Sequence, residues 1–503
     1  MQGLQATAVT IEVNATRGVR FVLVGLPDNA VKESHERILA AIENSGFTFP
    51  TRQITINLSP ADIRKEGSGY DLPMAIGILA TEDKVNISQL GKYMMVGELS
   101  LDGSLVPIRG ALPVAIKARE MGFEGLFVPE GNIREAAVVN KLKVYGVKHI
   151  TQVVNHLNGT ALLEPTVVDT RGEFYARQYE FDYDFADVKG QEHVKRAMEV
   201  AAAGGHNIIM IGPPGSGKSM LAKRMSSILP PLSLQESLET TQIHSVAGTL
   251  PAGCSLMAQR PYRSPHHTIS QVALVGGGTN PQPGEISLAH NGILFLDELP
   301  EFQRSVLEVL RQPLEDRVIN VSRAKYSVTF PCSFMFVASM NPCPCGYYNH
   351  PTKACCCTPG QIVRYLNKIS GPLLDRIDLQ IELSPVPFSD LSKMEPGEPS
   401  EKIRERVIRA RKIQEERFRD YALIHSNAQM TEKMLGQYCV LDSQTTEVLR
   451  EAMIRLNLSA RAYSRILKVA RTIADLEGKE NIEFAHVAEA VGYRTLDRSS
   501  WGE

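Results

Sequence analysis

The chain has 503 residues, of which 43% are hydrophobic, and its formal net charge is −2. This length predicts two to four domains with substantial cores, and the near-neutral charge excludes a protein that binds nucleic acid through an overall basic field. No apolar run reaches the roughly 18 residues of a membrane span, and the N-terminus lacks a signal-peptide pattern. We therefore expect a cytoplasmic protein without membrane partners.

Hydrophobic periods change along the chain and predict its domains. Strand periods near residues 9–13 and 54–58 flank a helix period marked by Val31, Ile38 and Ile42. A stretch without a clear period follows. The next pattern predicts a strand, a Gly-rich turn and a helix. After a Pro-rich break, the pattern predicts helices. The predicted division is an α/β domain over 1–158, a linker over 159–184, a nucleotide-binding α/β core over 185–397 and a helical region over 398–503.

The segment IIMIGPPGSGKSM predicts a phosphate-binding loop. Its glycines let backbone N–H groups surround the phosphates, Lys218 reaches the β and γ oxygens, and the Ser219 hydroxyl binds Mg²⁺. The alternative is a chance glycine turn before a helix. The predicted nucleotide-binding residues are Gly212, Pro213, Pro214, Gly215, Ser216, Gly217, Lys218 and Ser219.

Two further strands end in polar residues that suit this loop. The apolar run in NGILFLDELPEF leads into Asp297 and Glu298. We expect Asp297 to hold Mg²⁺ and Glu298 to polarise the attacking water. The run SFMFVASMN ends in Asn341, which can orient that water. The alternative for the acidic pair is the first turn of an ordinary helix.

With these motifs the chain resembles the AAA+ ATPases of the magnesium-chelatase-like branch. The resemblance makes Asn341 the family's sensor 1 and Arg376, in GPLLDRID, an arginine finger that reaches the γ-phosphate of a neighbouring subunit. It makes Arg461 the sensor 2 arginine, with Arg465 in reserve. Pairing of Arg376 with a neighbouring aspartate (Asp375 or Asp378) and a merely solvated Arg461 remain open. An arginine acting between subunits implies a ring, and six subunits are usual in the family.

The same resemblance implies two insertions that face the pore of the ring. One lies between the P-loop and Asp297, and the other is a hairpin over 318–330. Their basic side chains are candidates for contacts with DNA phosphates, and the alternative is a solvated hairpin tip. The candidates are Arg263, His266, His267, Arg323 and Lys325.

Five of the eight cysteines lie in NPCPCGYYNHPTKACCCTP, which begins at Asn341. Two C-x-C pairs, Cys343 with Cys345 and Cys355 with Cys357, predict a structural zinc site, with Cys356 or His350 as substitute ligands. Free thiols and a redox role are the alternatives. The motif is similar to that of the ComM/YifB subgroup, whose members begin several residues earlier, which leaves open whether the native start lies upstream of Met1.

The N-terminal domain resembles the proteolytic domain of Lon. On the Lon patterns, Gly69 falls at the serine position and Leu112 at the lysine position. Ser68 lies one place early, and Lys65 and Lys117 do not fit. We therefore expect a retained fold without a Ser–Lys dyad.

The resemblance implies an α/β fold class with a Lon-protease-like N-terminal domain, a P-loop AAA+ core and a helical C-terminal lid of the magnesium-chelatase type. It implies the cofactors ATP and Mg²⁺, a homo-hexamer, and a motor that acts on branched or single-stranded DNA, as in ComM branch-migration helicases. The alternatives are a chelatase motor for metal insertion and an ATP-dependent protease or protein remodeller.

Overall fold

The computed structural model describes residues 3–251, 253–278, 281–323, 326–385, 396–421, 423–456 and 458–494. The chain divides into two compact units. The first comprises Met1–Ala176 and Leu234–Ala258, and the second comprises Arg177–Ser233 and Gln259–Glu503.

The first unit contains two three-stranded sheets and a hairpin. One sheet has the order β1-β3-β2, and the other is parallel with the order β4-β7-β8. Alternation buries Ile54, Ile56 and Leu58 on one face of β3, as their period predicts. The strands are β1 Thr10–Thr16, β2 Phe21–Val24, β3 Gln53–Ser59, β4 Tyr93–Met95, β5 Glu98–Leu99, β6 Leu105–Val106, β7 Gly125–Pro129 and β8 Lys143–Val147.

Helices cover the sheets of the first unit. Asp71–Ala80 is apolar on nearly every face and is almost wholly buried, whereas Ser34–Asn44 buries only the stripe that contains Ile38 and Ile42. The helices are Asn29–Lys32, Ser34–Asn44, Asp71–Ala80, Ile87–Leu90, Ala111–Glu120, the 3₁₀ turn Glu130–Asn132, Ile133–Ala136, Ile150–Asn158, Thr170–Arg177 and Leu234–Ala247.

Two of these helices differ from the sequence analysis. The helix Thr170–Arg177 lies in the stretch that we interpreted as a linker, and its single buried side chain, Phe174, is too little to give a visible period. The helix Leu234–Ala247 falls within our predicted ATPase core, yet it belongs to the first unit, where the Ser245 carbonyl accepts a 3.0 Å bond from Gly110 N. The domain boundaries remain a prediction.

The second unit is built on a five-stranded parallel sheet with the order β10-β13-β16-β9-β17. Strands β9, β13 and β16 are buried at every position, because helices cover both faces of the sheet. The strands of this unit are β9 Ile208–Ile211, β10 Tyr262–Arg263, β11 Gly276–Gly277, β12 Gln282–Pro283, β13 Ile293–Leu296, β14 Val318–Arg323, β15 Tyr326–Pro331, β16 Met335–Met340 and β17 Leu379–Glu382.

Helices of the second unit surround this sheet and form a C-terminal helical region. The core helix Ala460–Leu476 packs on Glu192–Gly204 beneath the sheet. The helices are the 3₁₀ turn Phe185–Asp187, Glu192–Gly204, Lys218–Ile228, Gln271–Val275, Glu285–Leu288, the 3₁₀ turn Leu299–Glu301, Arg304–Glu308, Arg311–Asp316, Pro359–Leu366, Gly371–Leu374, Ser400–Arg417, the 3₁₀ turn Asn427–Gln429, Glu432–Tyr438, Ser443–Arg455, Ala460–Leu476 and Phe484–Gly492.

The sheet topology positions the candidate site. Adjacent parallel strands β13, β16 and β9 all end at the same edge, so the residues that follow them meet there. Antiparallel β14 and β15 form a hairpin at the predicted place before β16. Within the described residues, no helix combines the length and the apolar character that crossing a bilayer requires.

Candidate active site

The P-loop connects the end of β9 to the helix Lys218–Ile228. Gly215 and Gly217 adopt φ of +80° and +91°, the left-handed region in which a glycine carries no Cβ penalty. The Gly212 N–H donates to the Met340 carbonyl at 3.1 Å, which fixes the start of the loop beside β16. The loop therefore presents backbone N–H groups and the N-terminus of an eleven-residue helix, a combination that favours phosphate.

Lys218 is buried in the loop and reaches across to Asn341. Its Nζ donates to the carbonyls of Gly212 at 2.7 Å and Pro213 at 3.0 Å, and to Asn341 Oδ1 at 3.2 Å. Burial lowers the pKa of Lys218, and the charges of Asp297 and Glu298 oppose that shift. The ammonium group is thus held between the P-loop and the end of β16, where a nucleotide phosphate can exchange for the carbonyl partners.

Asp297 follows β13, and its carboxylate accepts hydrogen bonds from three donors. Ser219 Oγ donates to its Oδ2 at 2.6 Å, the Glu298 N–H donates to its Oδ1 at 3.0 Å, and Ser339 Oγ also donates to Oδ1. A hydroxyl and a carboxylate this close supply the hard oxygen ligands that Mg²⁺ prefers. The sequence analysis missed Ser339, although a polar side chain two places before Asn341 in a buried strand was a usable signal.

Glu298 directly follows Asp297, one of the predicted Mg²⁺ ligands, at the sheet edge. Its backbone has φ of 52°, and its side chain is 54% exposed. The Oε2 lies 3.8 Å from Nδ1 of His267, whose ring packs against that of His266 at a centroid distance of 4.0 Å and an interplanar angle of 35°. A solvent-accessible carboxylate here can accept a proton from an attacking water. The insertion that carries His267 therefore touches the candidate general base.

Arg376 does not pair with either of its neighbouring aspartates. Its Nη2 lies 2.6 Å from Glu315 Oε1, its Nη1 donates to the Pro372 carbonyl at 2.6 Å, and only 11% of the side chain is exposed. It lines a cleft of 430 Å³ together with Glu315, Ile319 and other residues. The arginine-finger role remains a prediction, and it requires the guanidinium to exchange Glu315 for a phosphate of another subunit.

The two sensor 2 candidates have different surroundings. Arg461 is 69% exposed and its Nη1 lies 2.8 Å from Asp375 Oδ2. Arg465 pairs with buried Asp378 at 3.0 Å. Burial raises the pKa of Asp378, but Arg465 and His206 outweigh it and hold that pKa below its usual range. Arg465 thus serves a buried ion pair, and Arg461 is the candidate with an accessible head group.

The DNA candidates are not equally placed. Arg263 makes a bidentate pair with Glu285, with both N–O distances 2.7 Å, so its charge is already neutralised. His266 and His267 lie on the loop before the helix Gln271–Val275. Arg323 ends β14, and Lys325 lies outside the described residues. A role in DNA contact remains a prediction for all five.

The cysteine cluster follows Asn341 directly. The Sγ atoms of Cys343, Cys345, Cys355 and Cys357 all lie within 4.8 Å of one another, whereas Cys356 is exposed. Burial raises the pKa of Cys345, but backbone N–H groups of the loop outweigh it and lower the pKa to about 6. The structure brings together the four thiols of the two C-x-C pairs.

In the first unit, the dyad positions of Lon are occupied by residues without the required chemistry. Leu112 is fully buried in an apolar cluster, and a Cβ at Gly69 would meet Val96 Cγ2 at 3.3 Å. Ser68 Oγ donates to Glu98, and the Lys65 Nζ is turned to the Pro60 carbonyl. Burial lowers the pKa of Lys65. The neighbouring hydroxyl and amine therefore have separate partners.

Comparison with known families and proteins agrees with this arrangement. Three family profiles match: "Magnesium chelatase, subunit ChlI" over residues 184–391, "Subunit ChlI of Mg-chelatase" over 11–132 and "Magnesium chelatase, subunit ChlI C-terminal" over 397–494. These AAA+ families imply the use of ATP and Mg²⁺.

Among similar proteins, the competence protein ComM of Haemophilus influenzae is 44% identical over 505 residues, which cover 99% of this chain and 96% of ComM. YifB of Escherichia coli K12 is 44% identical over 503 residues with the same coverage. Lon protease 2 of Bacillus subtilis is 31% identical over 157 residues, 28% of this chain and 27% of the protease. The chain belongs to the ComM/YifB subgroup of the magnesium-chelatase-like AAA+ family.

Proposed function

We propose that this protein is an ATP-driven ring motor that moves branched DNA, in the manner of a branch-migration helicase. The observation that carries the proposal is the approach of His267 Nδ1 to Glu298 Oε2 at 3.8 Å. An insertion that is a candidate DNA surface thereby touches the group that would activate water. Substrate bound at the insertion can then alter hydrolysis without a long relay.

The hydrolytic cycle follows from the positions of the site residues. Lys218 and the P-loop would hold the β and γ phosphates, and Ser219 and Asp297, which are bonded to each other at 2.6 Å, would hold Mg²⁺. Glu298 accepts a proton from the attacking water, and Asn341, fixed by its bond with Lys218, orients that water. In the proposed ring, Arg376 and Arg461 stabilise the charge that develops on the γ-phosphate.

The near-neutral net charge is compatible with a DNA motor whose contacts are confined to a channel. The basic hairpin β14–β15 and the loop with His266 and His267 are the two surfaces that we assign to phosphate contacts. Binding through phosphates predicts weak sequence preference and strong dependence on salt.

The test is migration of a labelled synthetic four-way junction, with unlabelled junction as competitor, by wild type and Glu298→Gln in the presence of ATP and Mg²⁺. We expect ATP-dependent strand exchange that the variant loses while it still binds nucleotide. ATPase activity that DNA does not stimulate, together with an unprocessed junction, would overturn the proposal and direct attention to porphyrin and protein substrates.

A second experiment tests the coupling itself. His267→Ala should reduce the ratio of the ATPase rate with DNA to the rate without DNA, because the insertion loses its contact with Glu298. His425→Ala, an exposed histidine on the C-terminal helical region, is the control and should leave that ratio unchanged. Equal ratios in wild type and both variants would contradict the coupling.

A further inference from the structure

We propose that Cys343, Cys345, Cys355 and Cys357 bind one structural zinc ion that holds the loop after β16 against the P-loop. The Cys343 Sγ lies 3.3 Å from that of Cys345 and 3.7 Å from that of Cys355, and the Cys345 and Cys355 sulfurs are 3.5 Å apart. All four sulfurs lie within 4.8 Å of one another. Tetrahedral zinc with Zn–S bonds of about 2.3 Å requires sulfur–sulfur separations of roughly 3.8 Å.

The geometry selects four ligands among six candidates. Cys356 is exposed and is not part of the cluster. His350 Nδ1 accepts bonds from the N–H groups of Thr352 at 3.2 Å and Lys353 at 3.0 Å, which shape the turn that carries it. Cys356 is therefore not a ligand, and the C-x-C spacing places its neighbours Cys355 and Cys357 on the same side of the chain.

Other uses of four adjacent thiols fit less well. All four cysteines are free, and their separations exceed the roughly 2.05 Å of a disulfide bond. A cluster of several irons would spread its thiolates around a larger body than the space within 4.8 Å. A set of four cysteine sulfurs is the ligand set of a structural zinc site.

The surrounding backbone supports thiolates at these positions. The Tyr348 N–H donates to Cys343 Sγ at 3.3 Å, and the Cys357 N–H donates to Cys355 Sγ at 3.4 Å. Zinc binds all four cysteines as thiolates, so the occupied site has a net charge of −2. N–H donors of this kind offset that charge and orient the sulfurs, as groups hydrogen-bonded to the ligands do in other zinc sites.

The ion would stabilise a loop that is irregular. No helix or strand is formed between Met340 and Pro359, and the backbone there is held by turn hydrogen bonds, such as the one from Gly346 N–H to the Cys343 carbonyl at 3.0 Å, rather than by a regular ladder. The loop nevertheless packs directly against the P-loop. Gly346 has φ of +84°, and a Cβ on it would lie 2.6 Å from Pro214 Cδ of the P-loop. The zinc site thus fixes Asn341 at one end and the outer wall of the P-loop at the other.

The first test measures zinc in the purified full-length chain by elemental analysis, with free thiols counted in parallel. We expect about one zinc per chain in wild type and in the matched control Cys356→Ser, and a loss of zinc in Cys343→Ser and Cys357→Ser. Because those variants can fail to fold, Cys345→His is compared with Cys345→Ser. The histidine variant, which keeps a zinc ligand, should retain metal that the serine variant loses.

The second test replaces zinc with cobalt and records the absorption spectrum. Tetrahedral thiolate ligation gives the d–d and sulfur-to-cobalt bands in wild type and Cys356→Ser. In both of these proteins, the KM for ATP should rise after a chelator has removed the metal from the cysteine site, with the ATPase rate measured at saturating Mg²⁺. Iron instead of zinc, a disulfide in place of two thiols, or loss of metal in Cys356→Ser would overturn the assignment. An unchanged KM would overturn the role at the P-loop.

Discussion

Asp297 is the residue on which the candidate site depends most closely. Its Oδ2 is bonded to Ser219 on the P-loop helix, and its Oδ1 is bonded to Ser339 on the adjacent strand. The carboxylate is thereby oriented from two directions before any metal arrives. A metal ligand whose rotamer is fixed in advance loses less entropy on binding than a free side chain does.

This arrangement predicts the effect of Ser339→Ala. Removal of the hydroxyl leaves Asp297 Oδ1 with one fewer donor, so the carboxylate is less well oriented and Mg²⁺ binds more weakly. We expect the Mg²⁺ concentration for half-maximal ATPase activity to rise about 10-fold, a usual effect of removing a group that is hydrogen-bonded to a metal ligand. The rate at saturating Mg²⁺ should change less. The measurement is ATPase rate against Mg²⁺ concentration.

The control is Ser227→Ala, which removes another buried hydroxyl of the same unit, one that donates to the Arg224 carbonyl at 2.7 Å. It should reduce stability without shifting the Mg²⁺ titration. Identical Mg²⁺ dependence in wild type and Ser339→Ala would show that Asp297 needs no such support.

Lys468 provides a pH-dependent prediction. Burial and the charge of Arg465 lower its pKa from 10.5 to about 8 in the folded chain, against the opposing attraction of Asp378. Below pH 8 both the folded and unfolded chains carry the proton, so folding buries a charge and the penalty is complete. Between pH 8 and 10.5 the folded chain binds fewer protons than the unfolded one, so stability rises with pH, by up to about 3 kcal/mol.

Lys468→Met should therefore unfold at a higher temperature than wild type at pH 7, and this advantage should shrink as the pH approaches 10. Differential scanning fluorimetry across this pH range measures the difference. Lys412→Met, at an exposed position, controls for the loss of one positive charge. An advantage that stays constant with pH would mean that burial of the charge is not its cause.

At the scale of elements, two segments pack against the P-loop. One is β16, and the other is the loop over residues 341–358 that carries the cysteine cluster, whose Gly346 approaches Pro214. Asn341 lies where β16 ends and this loop begins, so movement of either element displaces several site residues together. This close approach is possible because Gly346 has no side chain and adopts a left-handed φ.

Gly346→Ala should therefore weaken nucleotide binding. The new methyl group meets Pro214 Cδ at 2.6 Å and adds a left-handed strain of about 1–2 kcal/mol. We expect a several-fold rise in KM for ATP, measured by steady-state ATPase kinetics. The control is Gly360→Ala, where a Cβ meets nothing within 4 Å and which lies in the helix Pro359–Leu366. If the two variants gave the same KM, the contact with Pro214 would have no role in binding.

Local patterns explain which elements could be predicted from the sequence. A strand, a glycine turn and a helix are adjacent in the chain, so the P-loop and the strand ends at Asp297 and Asn341 could be read directly. The hairpin over β14 and β15 is also local. Contacts that depend on tertiary packing could not be predicted from the sequence. The placement of Leu234–Ala247 in the first unit and the pairing of Arg376 with Glu315 join segments whose proximity no period encodes.

Side-chain partners show the same limit at finer scale. Arg263 and Arg461 look alike in the sequence, but Glu285 neutralises the first on two sides while the second remains largely exposed. The cysteines are the opposite case, since their C-x-C spacing predicted the four sulfurs that the structure groups together, and the structure was needed only to leave out Cys356 and His350. Covalent spacing constrains short loops strongly, whereas partners of long side chains depend on what the rest of the fold brings near.

At the scale of the whole molecule, the proposed ring has a direct consequence for subunit mixing. If Arg376 completes the site of a neighbouring subunit, Arg376→Ala and Glu298→Gln damage different subunits of the same composite site. Each variant alone should be inactive as an ATPase. An Arg376→Ala subunit still supplies an intact Glu298, and a Glu298→Gln neighbour still supplies Arg376.

An equal mixture of the two variants, dissociated and reassembled together, should therefore regain activity. Random assembly places a complete site at about one quarter of the interfaces, so the ATPase rate should recover to roughly that fraction of wild type. Arg450→Ala, which removes an exposed arginine paired with Glu447, is the control and should be active without mixing. A mixture that stays inactive would mean that Arg376 acts within its own subunit, where its bond to Glu315 already holds it, and the case for a ring would lose its main support.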